Sequence, residues 1–304
     1  MQKALRKEKP VADKPHHASD LRTALEWLRE QGDLIETDKP VDPDLEVTGL
    51  QKHMDGGCPV LFNNVKGKPN HRVLTNLFGD IKVINKMFGW TSDDERVRKL
   101  AYALSHPLKP VEIPQGEAPC QEHVIKNPKD VNEHVVPIRH TTYEPELTVG
   151  SAIRCVTGAE FDGGSDLGYN RMNFRWGNVG TFQISPGSHM WQVVNKYYKS
   201  DEPVPITMCF GVPPACTLLA GAGFDYAILP MGCDEIGIAG AVQGTPIRLV
   251  KARTVNAMAL ADCELVLEGL AAQKRISRSE ELGYTRAKPE RREPGYGKGG
   301  ISFG

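Results

Sequence analysis

From Pro203 to Phe224 the chain carries no charged residue, a run long enough to raise the question of a membrane-spanning helix. Pro213-Pro214 stands in its middle with Gly211, Gly221 and Gly223 around it, so an unbroken helix is excluded; a buried strand, a turn and a short helix fit instead. The segment therefore reads as the interior of a folded domain, with no membrane span. The rest of the chain agrees, since 37 Lys plus Arg against 38 Asp plus Glu leave a formal net charge of -1 with 40% hydrophobic residues. That balance removes the basic nucleic-acid-binding class and gives no ground for disorder of the whole chain. A length of 304 residues allows about two domains. Of the 30 glycines, 22 lie from Gly150 onward, which points to short strands joined by tight turns, or to backbone brought close to a ligand.

The seven cysteines are Cys58, Cys120, Cys155, Cys209, Cys216, Cys233 and Cys263, an odd number with no C-x-x-C pair. They read as reduced and mostly buried thiols of a cytoplasmic protein. Met1 to His17 mixes Lys3, Arg6, Lys7, Lys9 and Lys14 with Glu8 and Asp13 and has no apolar core, so it reads as a disordered leader and not as a secretory signal.

Ser19 before Leu21, Ala24, Leu25 and Leu28, with Gly32 closing the pattern, predicts a capped amphipathic helix. Short strands are expected at Leu34–Thr37, Val60–Val65 and Arg72–Leu77, in a mixed α/β unit reaching to about Ile113, where Pro110, Pro114 and Pro119 mark a linker. From Glu122 short β-rich runs take over, at Ser151–Thr157, Tyr169–Trp176 and Val179–Ile184, with Gly163-Gly164 and Gly177-Asn178 as turns; the spacing is that of an antiparallel sheet or small barrel. After the turn Ser185-Pro186-Gly187, His189–Tyr198 places Met190, Val193, Val194 and Tyr197 on one helical face. Asp234 is expected to cap a helix through Ile236, Ala239 and Val242 to Gly244, and further strands are expected at Ile206–Val212, Ile247–Ala252 and Glu264–Leu267. The tail from Ala271 holds 8 Lys or Arg and 4 Asp or Glu with few apolar residues and reads as a solvated arm. The fold class is α+β, divided into a leader at 1–18, an amino-terminal α/β domain at 19–113, a β-rich domain at 114–270, and at 271–304 a charged tail or the start of a further domain.

No G-x-x-x-x-G-K-[ST] or G-x-S-x-G is present, and no G-x-G-x-x-G loop convincingly follows a strand, so nucleotide and serine hydrolysis have no support. Three ligand donors stand in suggestive places: Asp166 beside a strand, His189 at a helix start, and Glu235 in the first turn of another helix. One imidazole and two carboxylates suit Mn²⁺ or Mg²⁺ better than structural Zn²⁺. Their intervals are too long for a local metal motif, and each has an ordinary alternative: a turn aspartate, a helix-start histidine, and a glutamate favoured by the helix dipole. Arg171 interrupts a run in which Tyr169, Met172 and Phe174 alternate. It either lies on a solvated strand face or points inward, where it needs an anion such as a carboxylate or phosphate.

Several separated blocks carry a resemblance to a known family. D-L-R-T-A-L-E-W-L-R-E-Q-G-D-L with V-D-P-D-L-E-V-T, P-V-L-F-N-N-V-K-G-K with L-T-N-L-F-G, C-F-G-V-P-P-A, D-E-I-G-I-A-G-A-V-Q-G, and P-I-R-L-V-K-A before E-L-V-L-E-G occur in order between Ser19 and Gly269. The chain so resembles the UbiD-like decarboxylases that use prenylated flavin mononucleotide. The resemblance implies an amino-terminal α/β domain, a split β-barrel of the flavin-reductase type holding the cofactor, and a carboxy-terminal α/β domain that supports dimerisation. Residue by residue, D-L-G-Y-N-R resembles the segment that runs from a metal-binding Asn to the catalytic Arg, which implies Asp166 as metal ligand and Arg171 as catalytic residue. S-P-G-S-H-M-W-Q implies His189 as the second ligand, and the D-E pair implies Glu235 as the third. In the family manganese sits against the flavin phosphate with potassium nearby, so Asp166, Arg171, His189 and Glu235 together would anchor the cofactor.

The activity implied by the resemblance is that of a non-oxidative (de)carboxylase of an aromatic or α,β-unsaturated acid, using prenylated FMN, Mn²⁺ (or Mg²⁺) and K⁺. A flavin prenyltransferase would supply the cofactor, CO₂ would be the co-product, and the chain would act in a homo-oligomer or multi-subunit complex. Arg171 would orient the leaving carboxylate. Two departures stand out. Asp166 replaces the usual Asn and adds a negative charge. After Gly269 the family's E-G-P-F-G-E-like block with its two glutamates has no equivalent; Glu281 is the nearest placement and puts Arg286 where an acid belongs. The alternative is therefore a shortened, non-catalytic cofactor-binding subunit, and a third reading is a metal hydrolase built on the same three ligands.

Overall fold

The computed structural model describes residues 17–144, 147–185, 187–200, 202–222, 229–272 and 300–303. The first helix, α1 (Leu21–Gln31), turns Ala24, Leu25 and Leu28 inward and closes on Gly32 in the left-handed region, as its apolar spacing predicts. Its cap is Asp20, not Ser19: the extended Asp20 accepts the Thr23 N–H on its carboxylate at 2.8 Å. His17 and Ala18, assigned to a disordered leader by composition, are packed instead. Ala18 is fully buried, and the His17 ring stacks on Trp27 with centroids 4.4 Å apart. The rest of that leader, 1–16, lies outside the described residues.

Down the chain follow β1 (Ile35–Thr37), α2 (Glu46–His53), β2 (Val60–Phe62), β3 (Val73–Thr75), α3 (Ile81–Met87), α4 (Asp93–Ser105) and β4 (Val111–Glu112). The second half supplies β5 (Ile153–Thr157), β6 (Ser165–Tyr169), β7 (Met172–Trp176), β8 (Val179–Gln183), α5 (His189–Ser200), β9 (Val204–Phe210), α6 (Pro214–Ala222), α7 (Glu235–Gln243), β10 (Arg248–Lys251), β11 (Met258–Leu260), β12 (Leu265–Ala272) and β13 (Gly300–Phe303). The architecture is α+β. β2 lies between parallel β1 and antiparallel β3, and β10 between parallel β4 and antiparallel β11. The third sheet is antiparallel throughout, in the order β6-β5-β9-β12-β13-β8-β7.

Three further expectations are corrected. The proline-marked linker at 110–119 contains a strand, because Val111 and Ile113 still donate their amides to Ile247 and Leu249 at 3.0 and 2.8 Å. The run Tyr169–Trp176 is not one strand: the chain breaks at Asn170 and Arg171 between β6 and β7. The tail is not wholly an arm, since β13 inserts between β12 and β8; residues 273–299 lie outside the described residues.

The uncharged stretch resolves as its prolines require. β9 pairs with both β5 and β12, and its two faces enter two different cores, Cys209 in one and Val204, Ile206 and Met208 in the other. A strand covered on both sides has no place for a charge. The chain then turns at Gly211, and Pro214 begins α6, where its missing N–H would have had no helical partner anyway. The first of those cores joins α1 and α3 to α6, α7, β10 and β11, so the two halves of the sequence share one interior. Among the described residues no helix is long and apolar enough to cross a membrane. All seven cysteines are free thiols.

Candidate functional site

Two segments distant in sequence are fastened together at the start of β6. Ser165 N–H donates to Cys233 O at 2.9 Å, Ser165 Oγ donates to Asp234 Oδ1 at 2.5 Å, and the Ile236 N–H donates to Ser165 Oγ at 2.9 Å. Asp234, the expected cap of α7, also accepts from the Gly237 N–H at 2.9 Å. The approach is so close that a Cβ on Gly164 would fall 2.1 Å from Cys233 O and 2.4 Å from Gly232 O, so only glycine fits there. One residue further along each segment, Asp166 and Glu235 come side by side.

His189 reaches the same point from the first turn of α5, whose start is held by Ser188 Oγ accepting the Trp191 N–H at 3.2 Å. Its Nδ1 lies 2.9 Å from Asp166 Oδ1 and 3.4 Å from Glu235 Oε1, and its ring meets Phe161 edge-on at 4.9 Å. The second glutamate oxygen, Oε2, accepts the Leu167 N–H at 2.8 Å. Asp166 is 2% exposed, His189 5% and Glu235 0%, and one donor atom from each falls within 4.8 Å of the others.

This donor set fits a hard divalent cation. Adjacent ligands of an octahedral ion with bonds of about 2.1 Å stand about 3 Å apart, close to the separations found here. Two buried carboxylates also need positive charge nearby. Part of it comes from Arg154 on β5, which spacing did not single out. Its guanidinium donates to Asp166 Oδ2 and to Asn170 Oδ1, and all three residues are buried. Burial pushes the Arg154 pKa down to about 10, while the charge of Glu235 works in the opposite direction.

Arg171 stands apart from the three clustered donors. It follows Asn170 outside any strand, is partly exposed, and pairs with Glu144 at 3.1 Å. Asn170 turns inward to accept from Arg154 and to donate to Gln183 O at 2.8 Å, which is why the predicted alternation fails at this point. Glu144, also missed from sequence, is buried and accepts the His140 N–H at 2.7 Å. A cavity of about 250 Å³ lies elsewhere, between the 120–131 segment and β7, β9 and β12; Met172, Met208, Arg253 and Glu268 line it, but none of the four expected site residues does.

Comparison with known proteins gives two family matches. Residues 111–284 match the UbiD family model, the 3-octaprenyl-4-hydroxybenzoate carboxy-lyase Rift-related domain, and residues 25–104 match the amino-terminal domain of the same carboxy-lyases. The chain is 32% identical to gallate decarboxylase from Lactiplantibacillus plantarum over 91% of its own length and 59% of that protein. It is 26% identical to ferulic acid decarboxylase 1 from Candida dubliniensis over 94% of its length and 60% of the relative. Among solved structures, an evolved dimeric form of the UbiD-class enzyme HmfF from Pelotomaculum thermopropionicum in complex with prFMN superposes with a TM-score of 0.76 at 28% identity, covering 84% of this chain and 57% of the other. The chain thus spans about three-fifths of the length of these proteins.

Proposed function

The chain belongs to the UbiD family of carboxy-lyases, and from that premise we propose that it acts in the non-oxidative decarboxylation of an aromatic or α,β-unsaturated carboxylic acid with prenylated FMN. The observation that carries the proposal is the buried meeting of Asp166, His189 and Glu235. These three would hold Mn²⁺ or Mg²⁺, and the cation would neutralise the flavin phosphate in the protein interior, with K⁺ close by. The antiparallel sheet that carries Asp166 would be the split β-barrel of the flavin-reductase type. The gallate and ferulic acid decarboxylases, and the prFMN complex, support the aromatic acid and the flavin.

When bound, the modified flavin supplies the electron sink for carbon dioxide loss. The chain's own residues orient and neutralise. Arg171, partly exposed and paired with Glu144, would take the substrate carboxylate; Glu144, which accepts the His140 amide, limits where that guanidinium can point. Asn170 ties the backbone before Arg171 to β5 and β8, so the orientation of Arg171 and the geometry at Asp166 are parts of one network. A dimer or larger assembly and a cytoplasmic setting, with its free thiols reduced, belong to the same proposal. The shortened-subunit alternative is not favoured, because the relatives matched across this span are decarboxylases. The hydrolase reading is not favoured on the same ground.

The test is purification after co-expression with a flavin prenyltransferase, followed by the visible spectrum, the metal content, and CO₂ release from a panel of aromatic acids that includes gallate. Bound modified flavin, stoichiometric manganese and release from at least one acid are expected. Flavin and metal without release from any acid would refute the activity. Arg171→Ala is expected to abolish turnover while the metal content stays unchanged; full turnover in that variant would remove Arg171 from its role.

A further inference from the structure

The register of β5 against β6 sets Arg154 opposite Gly168, with Asp166 and Asn170 two residues to either side of that glycine on the same face. The guanidinium lies flat across the glycine. A Cβ on Gly168 would stand 2.8 Å from Nη2, 3.1 Å from Nη1 and 3.2 Å from Cζ, so the absent side chain is what admits it. From there Nη2 reaches Asp166 Oδ2 and Nη1 reaches Asn170 Oδ1. Asp166 is left with Oδ1 on the side of His189, 2.9 Å from Nδ1.

We propose that Arg154 sets the charge of the metal site: it cancels the charge of Asp166 by engaging Oδ2, which leaves Oδ1 on the side of His189. An aspartate thereby serves as a nearly neutral oxygen donor. An asparagine, which the family resemblance gives at this position, would need no such partner; the Arg154–Gly168 arrangement supplies what the aspartate requires. The inference rests on the metal site proposed above. With a neutral imidazole, Asp166, Glu235 and Arg154 leave one negative charge in excess. Removing Arg154 adds a second, Asp166→Asn removes the excess, and making both changes restores the original count.

Mn²⁺ titrated into the metal-free full chain reads this order directly. A unit charge so close to a divalent ion inside a protein should change affinity by about tenfold or more. Arg154→Met is expected to bind Mn²⁺ about tenfold or more tighter than the wild type, Asp166→Asn about tenfold or more weaker, and the double variant within about threefold of wild type. An arginine that only supports the fold would not produce that order. If Arg154→Met fails to fold, the remaining pair decides, because the double variant must still bind at least about tenfold tighter than Asp166→Asn. Equal affinities in that pair overturn the role of Arg154 and leave the metal site standing. Wild-type protein that takes up no Mn²⁺ overturns the metal site and this inference with it.

Discussion

Gly164→Ala is the most economical way to separate Asp166 from Glu235 without altering any ligand. The new methyl group would meet Cys233 O at 2.1 Å and Gly232 O at 2.4 Å, and both are backbone atoms that cannot swing aside. The strand start must retreat from the 232–236 segment. Overpacking of this kind costs about 1–3 kcal/mol. Retreat also stretches the Ser165 N–H···O contact to Cys233 and the hydroxyl link to Asp234, and a lost internal hydrogen bond adds about 1 kcal/mol. The expected loss is therefore about 2–4 kcal/mol, measured by urea unfolding of the metal-free protein. Mn²⁺ affinity should fall together with stability, because Asp166 and Glu235 follow Ser165 and Asp234 directly. A variant within about 0.5 kcal/mol of wild type, with unchanged Mn²⁺ binding, would refute the argument that this contact assembles the site.

Ser165→Ala removes the hydroxyl that bridges Asp234 and the Ile236 N–H, and should cost about 1–3 kcal/mol in the same unfolding assay. Leu28→Ala, at a fully buried position of the core shared by both halves, should cost about 2–5 kcal/mol and leave Mn²⁺ affinity untouched. The Arg29 guanidinium holds the Glu36 carboxyl below its usual range. That stabilisation is present above the ordinary carboxylate pKa and is lost as pH falls through the depressed value, so Glu36→Gln should flatten the acid end of the stability profile and change little at neutral pH.

Local signals recovered the elements whose causes are local. α1 has an apolar stripe and a left-handed glycine, α7 has an aspartate cap and Gly244, and the β9–α6 segment has two prolines that permit a helix only from Pro214 onward. α4 escaped because it buries only Ala103, so its stripe is nearly absent and only the Ser92 cap with its acidic first turn marks it. The three ligand donors could be suspected from their types, yet only the family resemblance joined them, since their contacts cross long sequence intervals. Arg154 and Asn170 had no signal of their own. A charged residue in S-A-I-R-C-V-T or a polar one before Arg171 reads as a solvent-facing strand position, and the register of two strands is needed to bring them together.

That register also explains how an apolar sheet tolerates these charges. Along β5, Ile153 and Cys155 enter the core shared with the helices, while Ala152 and Val156 enter the second core; along β6, Leu167 takes the first side. Arg154, Asp166 and Asn170 alternate with Ile153, Cys155 and Leu167 and so share the opposite face. A slip of one residue would drive the carboxylate among Ile153 and Cys155 and turn Leu167 toward the site, with each buried charge stranded from its partner. The connection from Gly158 to Gly164 prevents the slip: Gly163 and Asp162 adopt positive φ, Gly163 N–H returns to Gly158 O at 2.8 Å, and Gly158 N–H closes on Gly164 O at 3.0 Å. The glycines crowded into the second half are thus tied to the chemistry. Some set the strand register, one admits the α7 segment, and one admits the guanidinium, and together they place Asp166 where an isolated buried carboxylate could not persist.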